Sequence, residues 1–199
     1  MLDSGRSKRA PQPVPDGREY RRAASDGTIR GMDQRQIELG FACHDDAQTL
    51  ALMSRDLIEA GLGWTYRGSR VAQLIRDPET VALVTRDGPR IVGFAIMSFG
   101  DERAHLVLLA VRPSHRRRGI ARRMLSWLVD SAAIAGTGSI HVELRADNAV
   151  AYAMYETLGF AETFRVPRYY RGVETAVRML RVLRAPGLVA PAWEPPAKR

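Results

Sequence analysis

The sequence has few residues of the kinds that build disulfides, metal clusters or membrane spans. Cys43 is the only cysteine among 199 residues, which excludes an internal disulfide and a cysteine-based zinc cluster. No run of about eighteen apolar residues is present, so the sequence predicts no transmembrane helix. The basic residues near the N-terminus are not followed by an apolar stretch, which argues against a secretory signal. We therefore expect a cytoplasmic protein without a metal centre or membrane partner, in which Cys43 is a small core residue.

The net charge of +8 is concentrated in two segments that do not have the pattern of a folded domain. Residues 1–30 hold seven Lys/Arg against four Asp/Glu and lack hydrophobic periodicity, and residues 184–199 hold three against one and contain four prolines. We expect residues 1–33 to form a disordered basic tail and residues 185–199 a proline-rich tail, leaving one domain at residues 34–184. The small excess of positive charge in that domain argues against a nucleic-acid site.

Hydrophobic periodicity and turn residues divide the domain into eleven elements. Their order is β-α-α-β-β-β-α-β-α-β-β, which predicts an α/β (α+β) fold whose sheet begins with mostly antiparallel strands. The predicted strands are Gln36–Cys43, Thr80–Thr85, Arg90–Phe99, His105–Val111, Ser139–Arg145, Phe160–Val166 and Val173–Leu183. The predicted helices are Asp45–Ala60, Tyr66–Arg76, one from Ile120 to Gly136, and one capped by Asp147 or Asn148 that runs to Leu158.

The loop Arg116 to Ala121 joins a buried strand to a helix. The first turn of a helix has unpaired N–H groups and a partial positive charge, which together attract phosphate. Gly119 allows the backbone to approach an anion, and the small Ala121 leaves the entry open. Three consecutive arginines oppose the helix dipole at this end, and a bound pyrophosphate would offset them. Taken alone, the loop is weak evidence, and a solvated basic turn before a surface helix is the simpler interpretation.

Two motifs resemble the GNAT superfamily of N-acetyltransferases. VRPSHRRRGIA, residues 111–121, is similar to the signature Val-x-Pro-x-x-(Gln/Arg)-x-x-Gly-x-(Gly/Ala), with Arg116, Gly119 and Ala121 at the defining positions. ELRADNAVAYAMYETLGF, residues 143–160, resembles the second half of the family pattern, and the element order is also that of the family. Within the superfamily, the sequence is most similar to the ribosomal-protein alanine N-acetyltransferases.

The resemblance implies a single GNAT domain with acetyl-CoA as co-substrate. In such a domain a mixed sheet of about seven strands, flanked by about four helices, holds CoA between two splayed strands. The pantetheine arm is expected at Asn148 and at the backbone of Leu109, Ala110 and Val111. The pyrophosphate is expected, beside Arg116, at the N–H groups of Arg117, Arg118, Gly119, Ile120, Ala121 and Arg122.

The resemblance also implies direct acetyl transfer without an acyl-enzyme. Tyr155 is the expected general acid for the departing thiolate, with simple aromatic packing as its alternative. Backbone N–H groups near Val111 would polarise the thioester carbonyl. Glu143 is the expected base, by similarity to the alanine acetyltransferases, and His105 or ordered water are the alternatives. His115 is expected to be solvated.

Four aromatic residues are the candidates for the acceptor site. Tyr169 and Tyr170 resemble the tyrosines that line the peptide slot of protein N-terminal acetyltransferases, and Trp64 and Tyr66 lie in a loop expected to wall the acceptor pocket. An α-amine, with a pKa of about 7.7–8.0, has a substantial neutral fraction near pH 7.5, whereas lysine, at about 10.4, does not. The leading interpretation is therefore acetylation of a protein or peptide N-terminus by a monomer or homodimer.

Two other functions stay open at this point. One is acetylation of a small amine such as a polyamine, an amino acid or an aminoglycoside. A closed acidic pocket would favour this function, whereas a shallow open groove beside Tyr169 would favour a peptide. The other is a catalytically silent module that binds acyl-CoA or nucleic acid. The presence of Glu143, Asn148 and Tyr155 argues against a silent module.

Overall fold

A computed structural model describes residues 37–184 and contains the eleven predicted elements in the predicted order. The strands are β1 (Ile37–Phe41), β2 (Thr80–Asp87), β3 (Arg90–Phe99), β4 (Arg103–Val111), β5 (Ser139–Arg145), β6 (Ala161–Tyr170) and β7 (Glu174–Val182). The helices are α1 (Ala47–Leu57), α2 (Gly68–Arg76), α3 (Ile120–Ile134) and α4 (Ala149–Thr157). The two predicted tails and residues 34–36 lie outside the described residues. Within the described part of the chain, no helix is long and apolar enough to cross a membrane.

Strand β6 ends four residues later than the sequence predicted. It continues past Val166 to Tyr170, with an irregular register between these two residues before Tyr170 pairs with Glu174. Pro167 has no N–H to donate to the ladder, and Arg168 has a φ of 56°, so the regular alternation stops before the strand does. The alternation of apolar and polar residues therefore ends at Val166, before the end of the strand at Tyr170.

The expectation that Cys43 is a core residue was wrong. Cys43 is exposed and precedes the turn that leads into α1. Its backbone N–H donates to Asp46 Oδ2 at 2.9 Å, and its thiol lies 3.3 Å from the same oxygen. Arg86 of β2 also binds this carboxylate, at 2.7 Å, and so joins the start of α1 to the sheet.

The seven strands form one sheet in the order β1-β2-β3-β4-β5-β7-β6. Strands β4 and β5 are parallel, and the other five neighbouring pairs are antiparallel. Helix α3 connects the parallel pair, as a parallel connection requires a crossover. The predicted mixed sheet of seven strands with four helices is confirmed.

Strands β4 and β5 separate halfway along their length. Their pairing begins at Arg103↔Ser139 and ends at Leu106↔Val142. Beyond this point β4 continues along β3 to Val111, while β5 continues along β7. A wedge, defined here as the gap between β4 after Leu106 and β5 after Val142, therefore opens in the middle of the sheet.

A β-bulge in β4 coincides with the start of the wedge. Ile96 of β3 pairs with Leu108, whereas the next residue, Met97, pairs with Leu106, so β4 holds one extra residue there. Leu106 packs in the cluster under α3 and α4, but Leu108 packs in the cluster under α1 and α2. In a regular strand two residues this far apart share a face, so the bulge reverses the alternation. We call the two sides of the sheet the α3/α4 face and the α1/α2 face.

The N-terminus of α3 sits directly on the sheet because β3 has a glycine beneath it. A Cβ on Gly93 would lie 2.7 Å from Thr85 Oγ1 and 3.2 Å from Ile120 Cγ2. Gly93 therefore allows Ile120, the first residue of α3, to be buried against β3. This contact places the start of the helix beside the end of β4.

Candidate active site

The loop before α3 has the backbone geometry of an anion site. Gly119 caps the helix with a φ of 73°, and Arg117 also has a positive φ, of 63°. The first N–H that bonds within the helix belongs to Arg123, which donates to the Gly119 carbonyl at 2.9 Å. Among residues 37–184, no acceptor bonds the six N–H groups from Arg117 to Arg122. These are the N–H groups expected to bind pyrophosphate, and the backbone leaves all six unpaired.

Two side chains hold this loop in place. For one of them, His115, the prediction from the sequence was wrong. His115, expected to be solvated, is 8% exposed. Its Nε2 lies 3.1 Å from Asp87 Oδ2 and its Nδ1 lies 2.8 Å from Ser114 Oγ, because the chain after β4 folds back over the β2–β3 turn. Arg116 donates from Nε to the Val111 carbonyl at 3.1 Å. The loop is thus fixed to the end of β4 and to β2.

The predicted pantetheine residues lie on the two sides of the wedge. Leu109, Ala110 and Val111 form the end of β4, where one edge pairs with β3 and the other faces the wedge. Asn148 follows β5 and caps α4, and its Oδ1 accepts the Ala151 N–H at 3.1 Å. Asn148 therefore precedes the helix and is fixed by its capping bond.

Tyr155 is buried beside the wedge on the α3/α4 face. Its side chain is 5% exposed, and its ring meets Phe160 edge to face at 5.4 Å. The same cluster contains Leu106 and Leu144, from the two strands that form the wedge. Burial raises the pKa of the Tyr155 hydroxyl well above its ordinary value. The phenol is therefore a hydrogen-bond donor throughout the physiological pH range.

Glu143 lies on the opposite face of the sheet from Tyr155. Its β5 neighbours Val142 and Leu144 are buried on the α3/α4 face, so Glu143 projects toward the α1/α2 face. Its Oε1 accepts a hydrogen bond from Arg178 Nε at 2.7 Å, and the Glu143 side chain is 25% exposed. The wedge in the sheet lies between these two candidate catalytic groups.

The alternative base, His105, shares the face of Glu143. His105 is on β4, next to His141 of β5 in the parallel register. Removal of water by the surrounding strands lowers the pKa of His105, Glu143 raises it, and Arg178 lowers it again. The net direction is downward, so the imidazole is neutral at neutral pH. The structure brings both candidate bases to one face.

Three of the four predicted acceptor residues lie with Glu143. Burial raises the pKa of Tyr66, and Glu143 and Tyr169 are close enough to raise it further. Burial also raises the pKa of Tyr170 to about 12, with Glu143 adding to the shift. The rings of Tyr169 and Tyr170 meet edge to face at 5.0 Å. We call the surface between the α1–α2 loop and the β6–β7 hairpin the acceptor groove.

The fourth predicted residue, Trp64, contacts the loop itself. Its Nε1 donates to the Tyr66 carbonyl at 3.1 Å. The guanidinium carbons of Arg55 and Arg67 lie 5.4 Å and 5.9 Å from the centre of its ring. Trp64 is half-buried and stabilises the backbone of Tyr66 at the edge of the groove.

The structure adds Glu59, which the sequence placed inside a predicted helix. Helix α1 ends at Leu57, and the Glu59 side chain turns inward, leaving the residue 8% exposed. Its carboxylate accepts the Ser54 hydroxyl at 3.0 Å, the Thr65 N–H at 2.6 Å and the Tyr66 N–H at 3.2 Å. Glu59 thereby fixes the loop that carries Tyr66. No local pattern marks it, because its partners depend on where the helix ends.

Arg145, another residue that sequence reasoning missed, joins the two walls of the groove. Its guanidinium donates to the carbonyls of Ile58 and Ala60 at the end of α1, and it pairs with Glu174 of β7 at 3.2 Å. It also lies 6.0 Å from the Tyr170 ring. The arginine therefore fixes the distance between the α1–α2 loop and the β6–β7 hairpin.

A family model described as the acetyltransferase (GNAT) family matches residues 51–160, more than half of the chain. The matched range contains the wedge, the anion loop and both candidate catalytic residues. The chain belongs to this family. The GNAT assignment made from the two sequence motifs is confirmed.

Similar proteins support the same GNAT fold. The chain is 39% identical over 93 residues to the ribosomal protein bS18-alanine N-acetyltransferase of Salmonella typhimurium, covering 45% of this chain and 63% of that protein. It is 29% identical over 145 residues to the N-alpha-acetyltransferase RimI of Mycobacterium tuberculosis, covering 70% and 87%. The crystal structure of the Escherichia coli ribosomal-protein-S18-alanine N-acetyltransferase matches with a TM-score of 0.67 at 24% identity, covering 77% of this chain and 98% of that one.

Proposed function

We propose that this GNAT domain transfers the acetyl group of acetyl-CoA directly to the N-terminal α-amine of a protein or peptide. One observation carries the proposal. The wedge between β4 and β5 lies between an anion loop with six unpaired N–H groups and the surface that carries Tyr66, Tyr169 and Tyr170, of which Tyr169 is 45% exposed. Two of the similar proteins are named as a ribosomal protein bS18-alanine N-acetyltransferase and an N-alpha-acetyltransferase, and these names support the same acceptor class.

The donor would occupy the loop and the wedge. The N–H groups of Arg117 to Arg122 would bind the pyrophosphate, and the free edge of β4 from Leu109 to Val111 would pair with the pantetheine arm. The amide nitrogen of Asn148 would bind the arm from the other side, since its Oδ1 is already used in capping α4. This arrangement brings the thioester into the wedge, between the two faces of the sheet.

In the transfer, the amine nitrogen attacks the thioester carbon, the C–S bond breaks, the amine loses a proton and the sulfur gains one. Glu143 would accept the amine proton directly or through water, and backbone N–H groups near Val111 would stabilise the oxyanion. Tyr155 would donate to the sulfur. A thiol has an ordinary pKa of about 8.5, below that of a buried tyrosine, so Tyr155 keeps its proton and contributes a hydrogen bond that strengthens as the thiolate forms. The released thiolate then takes its proton from water.

The charges of the groove favour a peptide over a polycationic amine. Glu143 pairs with Arg178 at 2.7 Å, and Glu174 pairs with Arg145 at 3.2 Å, so an arginine balances the charge of each carboxylate and these pairs offer no net negative charge to a polyamine or an aminoglycoside. Neighbouring guanidinium groups also lower the pKa of an amine, which increases the neutral, nucleophilic fraction of an α-amine. These residues therefore do not form the acidic pocket that would favour a small cationic acceptor.

An acceptor comparison read by thiol release tests the proposal. The acceptors are a lysine-free peptide with a free N-terminus, the same peptide with a blocked N-terminus and one internal lysine, and spermidine. We expect the first peptide to have a kcat/KM at least about tenfold above the other two, because only its amine has a substantial neutral fraction near pH 7.5. Equal or faster turnover of spermidine would overturn the proposed acceptor class.

A cytoplasmic location and a monomeric or homodimeric state stay part of the proposal. The single cysteine supports a reducing compartment, where no disulfide is needed for stability.

A further inference from the structure

Arginines lie on both sides of the mouth of the acceptor groove. On the α1–α2 side, the guanidinium carbon of Arg70 lies 5.0 Å from the centre of the Tyr66 ring, and Arg67 lies over Trp64. On the hairpin side, an Nη of Arg171 lies 3.8 Å from the position that a Cβ would take on Gly63. Arg67, Arg70 and Arg171 are all exposed. The two walls of the groove therefore meet at guanidinium groups that face solvent.

These three arginines have no counter-charge in the part of the chain that the structure describes. No carboxylate of residues 37–184 lies within 4.0 Å of Arg67, Arg70 or Arg171. The nearby carboxylates are already engaged: Glu143 and Glu174 by arginines, and buried Glu59 by backbone N–H groups. Unpaired guanidinium groups around one opening create a positive potential and are well shaped to bind carboxylates.

We infer that the acceptor polypeptide carries acidic side chains close behind its N-terminal residue, and that Arg67, Arg70 and Arg171 recognise them. The inference rests on the proposed function, since it places the α-amine at Glu143. From there an extended chain advances about 3.3 Å per residue, so its second to fifth residues lie within roughly 13 Å of the amine. These residues leave the groove between Tyr66 and Tyr169, where the unpaired arginines lie.

Peptides that differ only in charge test the inference. Each has the same N-terminal residue and the same length, and carries Asp, Asn or Arg at one of positions 2 to 5. We expect the best-placed Asp to raise kcat/KM about twofold to fivefold over Asn, which is the range expected for an exposed ion pair. Arg at the same position should lower kcat/KM. The Asp advantage should shrink with added salt, because salt screens exposed charges.

Arginine variants show which side chains are responsible. Arg70→Gln, Arg171→Gln and the triple variant that also contains Arg67→Gln are assayed with the Asp and Asn peptides, and the ratio of the two rates is compared within each variant. A change in overall activity or folding cancels in this ratio. Arg76→Gln is the matched control, because Arg76 is an exposed arginine at the far end of the same helix as Arg70 and bonds the Ala72 carbonyl at 3.2 Å.

We expect the ratio to fall toward one in the triple variant and to keep its wild-type value in Arg76→Gln. Equal rates for Asp and Asn peptides at all four positions in the wild type would overturn the inference, and so would an advantage that survives the triple variant. Either result leaves N-terminal acetylation standing. A wild-type protein that acetylates none of the peptides contradicts the proposed function instead.

Discussion

Tyr155 combines a polar hydroxyl with nearly complete burial next to the point where β4 and β5 separate. We expect Tyr155→Phe to lower kcat at least about tenfold, because it removes the hydrogen bond to the departing sulfur. The KM for acetyl-CoA should change less than about twofold, since the phenyl ring still fills the same space. Steady-state kinetics with varied acetyl-CoA measure both values.

Tyr152→Phe is the matched control for this variant. Tyr152 lies one turn earlier on α4, is half-buried, and has its hydroxyl near Glu162 on the outside of the domain. Removal of the Tyr152 hydroxyl should leave kcat near the wild-type value. If Tyr155→Phe also keeps the wild-type kcat, Tyr155 is a packing residue only.

The dependence of the rate on pH decides whether Glu143 or His105 is the base. A base must be deprotonated, so kcat falls as the pH drops through its pKa. The pKa of His105 is lowered, and a limb caused by His105 would therefore lie below its ordinary pH of 6.5. With Glu143 as the base, Glu143→Gln loses the acidic limb and about a hundredfold in kcat, while His105→Gln keeps the limb. The measurement is the profile of kcat against pH at saturating peptide.

The opposite pattern, with the limb lost only in His105→Gln, would assign the base to His105. A limb kept in both variants would assign proton removal to water. The ionisation of free acceptor amine does not complicate these profiles, because saturating peptide removes it from kcat.

Sequence reasoning at the scale of single residues selects candidates where a motif fixes the neighbours. Glu143 begins the part of β5 that borders the wedge and Tyr155 packs with Leu106 and Leu144, and the catalytic roles of both stay predictions. It failed where a residue depends on distant partners. The burial of His115 depends on a hairpin turn 28 residues earlier in the chain, and Cys43 is exposed because the chain turns there into α1.

The loop before α3 depends on its glycine for conformation. Gly119 has a φ of 73°, and no atom lies within 4 Å of where its Cβ would be, so the space beside it is open for an anion. We expect Gly119→Leu to raise the Kd for acetyl-CoA at least about tenfold, about 1.4 kcal/mol, by filling that space and straining the backbone. Isothermal titration calorimetry with acetyl-CoA gives the Kd.

Gly136→Leu separates the loss of the site from backbone strain. Gly136 lies at the other end of α3 with a φ of 78°, and a Cβ there also meets nothing within 4 Å. Both variants should lose similar stability, about 1 to 2 kcal/mol, but only Gly119→Leu should lose affinity. An unchanged Kd in Gly119→Leu would contradict the assignment of the loop.

The α1–α2 loop depends on the buried carboxylate of Glu59. We expect Glu59→Ala to leave the N–H groups of Thr65 and Tyr66 without their acceptor, which costs about 1 to 3 kcal/mol in the free energy of unfolding. The KM for the peptide should rise while the KM for acetyl-CoA stays constant, because the loop walls only the acceptor groove. Denaturant unfolding and two-substrate kinetics measure these changes.

Glu79→Ala, in the exposed connection between α2 and β2, is the control for Glu59→Ala. It should change neither the unfolding free energy nor either KM. Equal increases in both KM values for Glu59→Ala would contradict a role confined to the acceptor groove.

At the scale of elements, periodicity and turn residues predicted each strand and α-helix of residues 37–184 but not their irregularities. The bulge of β4 and the irregular end of β6 arise from pairing with neighbouring strands, and a pattern within one segment carries no information about its partner. The splayed pair was implied by the family resemblance alone. The structure gives its physical basis in the pairing that ends at Leu106↔Val142.

At the scale of the whole molecule, the proposed function has donor and acceptor approach the wedge from two sides of one sheet. The mostly antiparallel start of the sheet could be predicted from short turns, such as the one at Asp87-Gly88, whereas the mixed sheet was implied by the family resemblance. The acceptor groove could not, because it forms from the α1–α2 loop and the β6–β7 hairpin, which are about a hundred residues apart in the chain and are joined by Arg145. The positive charge at the mouth of the groove could not be predicted either, because it depends on which arginines have no carboxylate paired with them among the described residues.

The most direct measurement is a crystal structure of this protein with a bisubstrate ligand in which CoA is joined through an acetyl group to a peptide N-terminus. We expect its pyrophosphate at hydrogen-bond distance from the N–H groups of Arg117 to Arg122 and its pantetheine arm between β4 and β5. The peptide should leave through the groove between Tyr66 and Tyr169. A CoA moiety bound outside the wedge, or a peptide bound away from the α1/α2 face, would contradict the account.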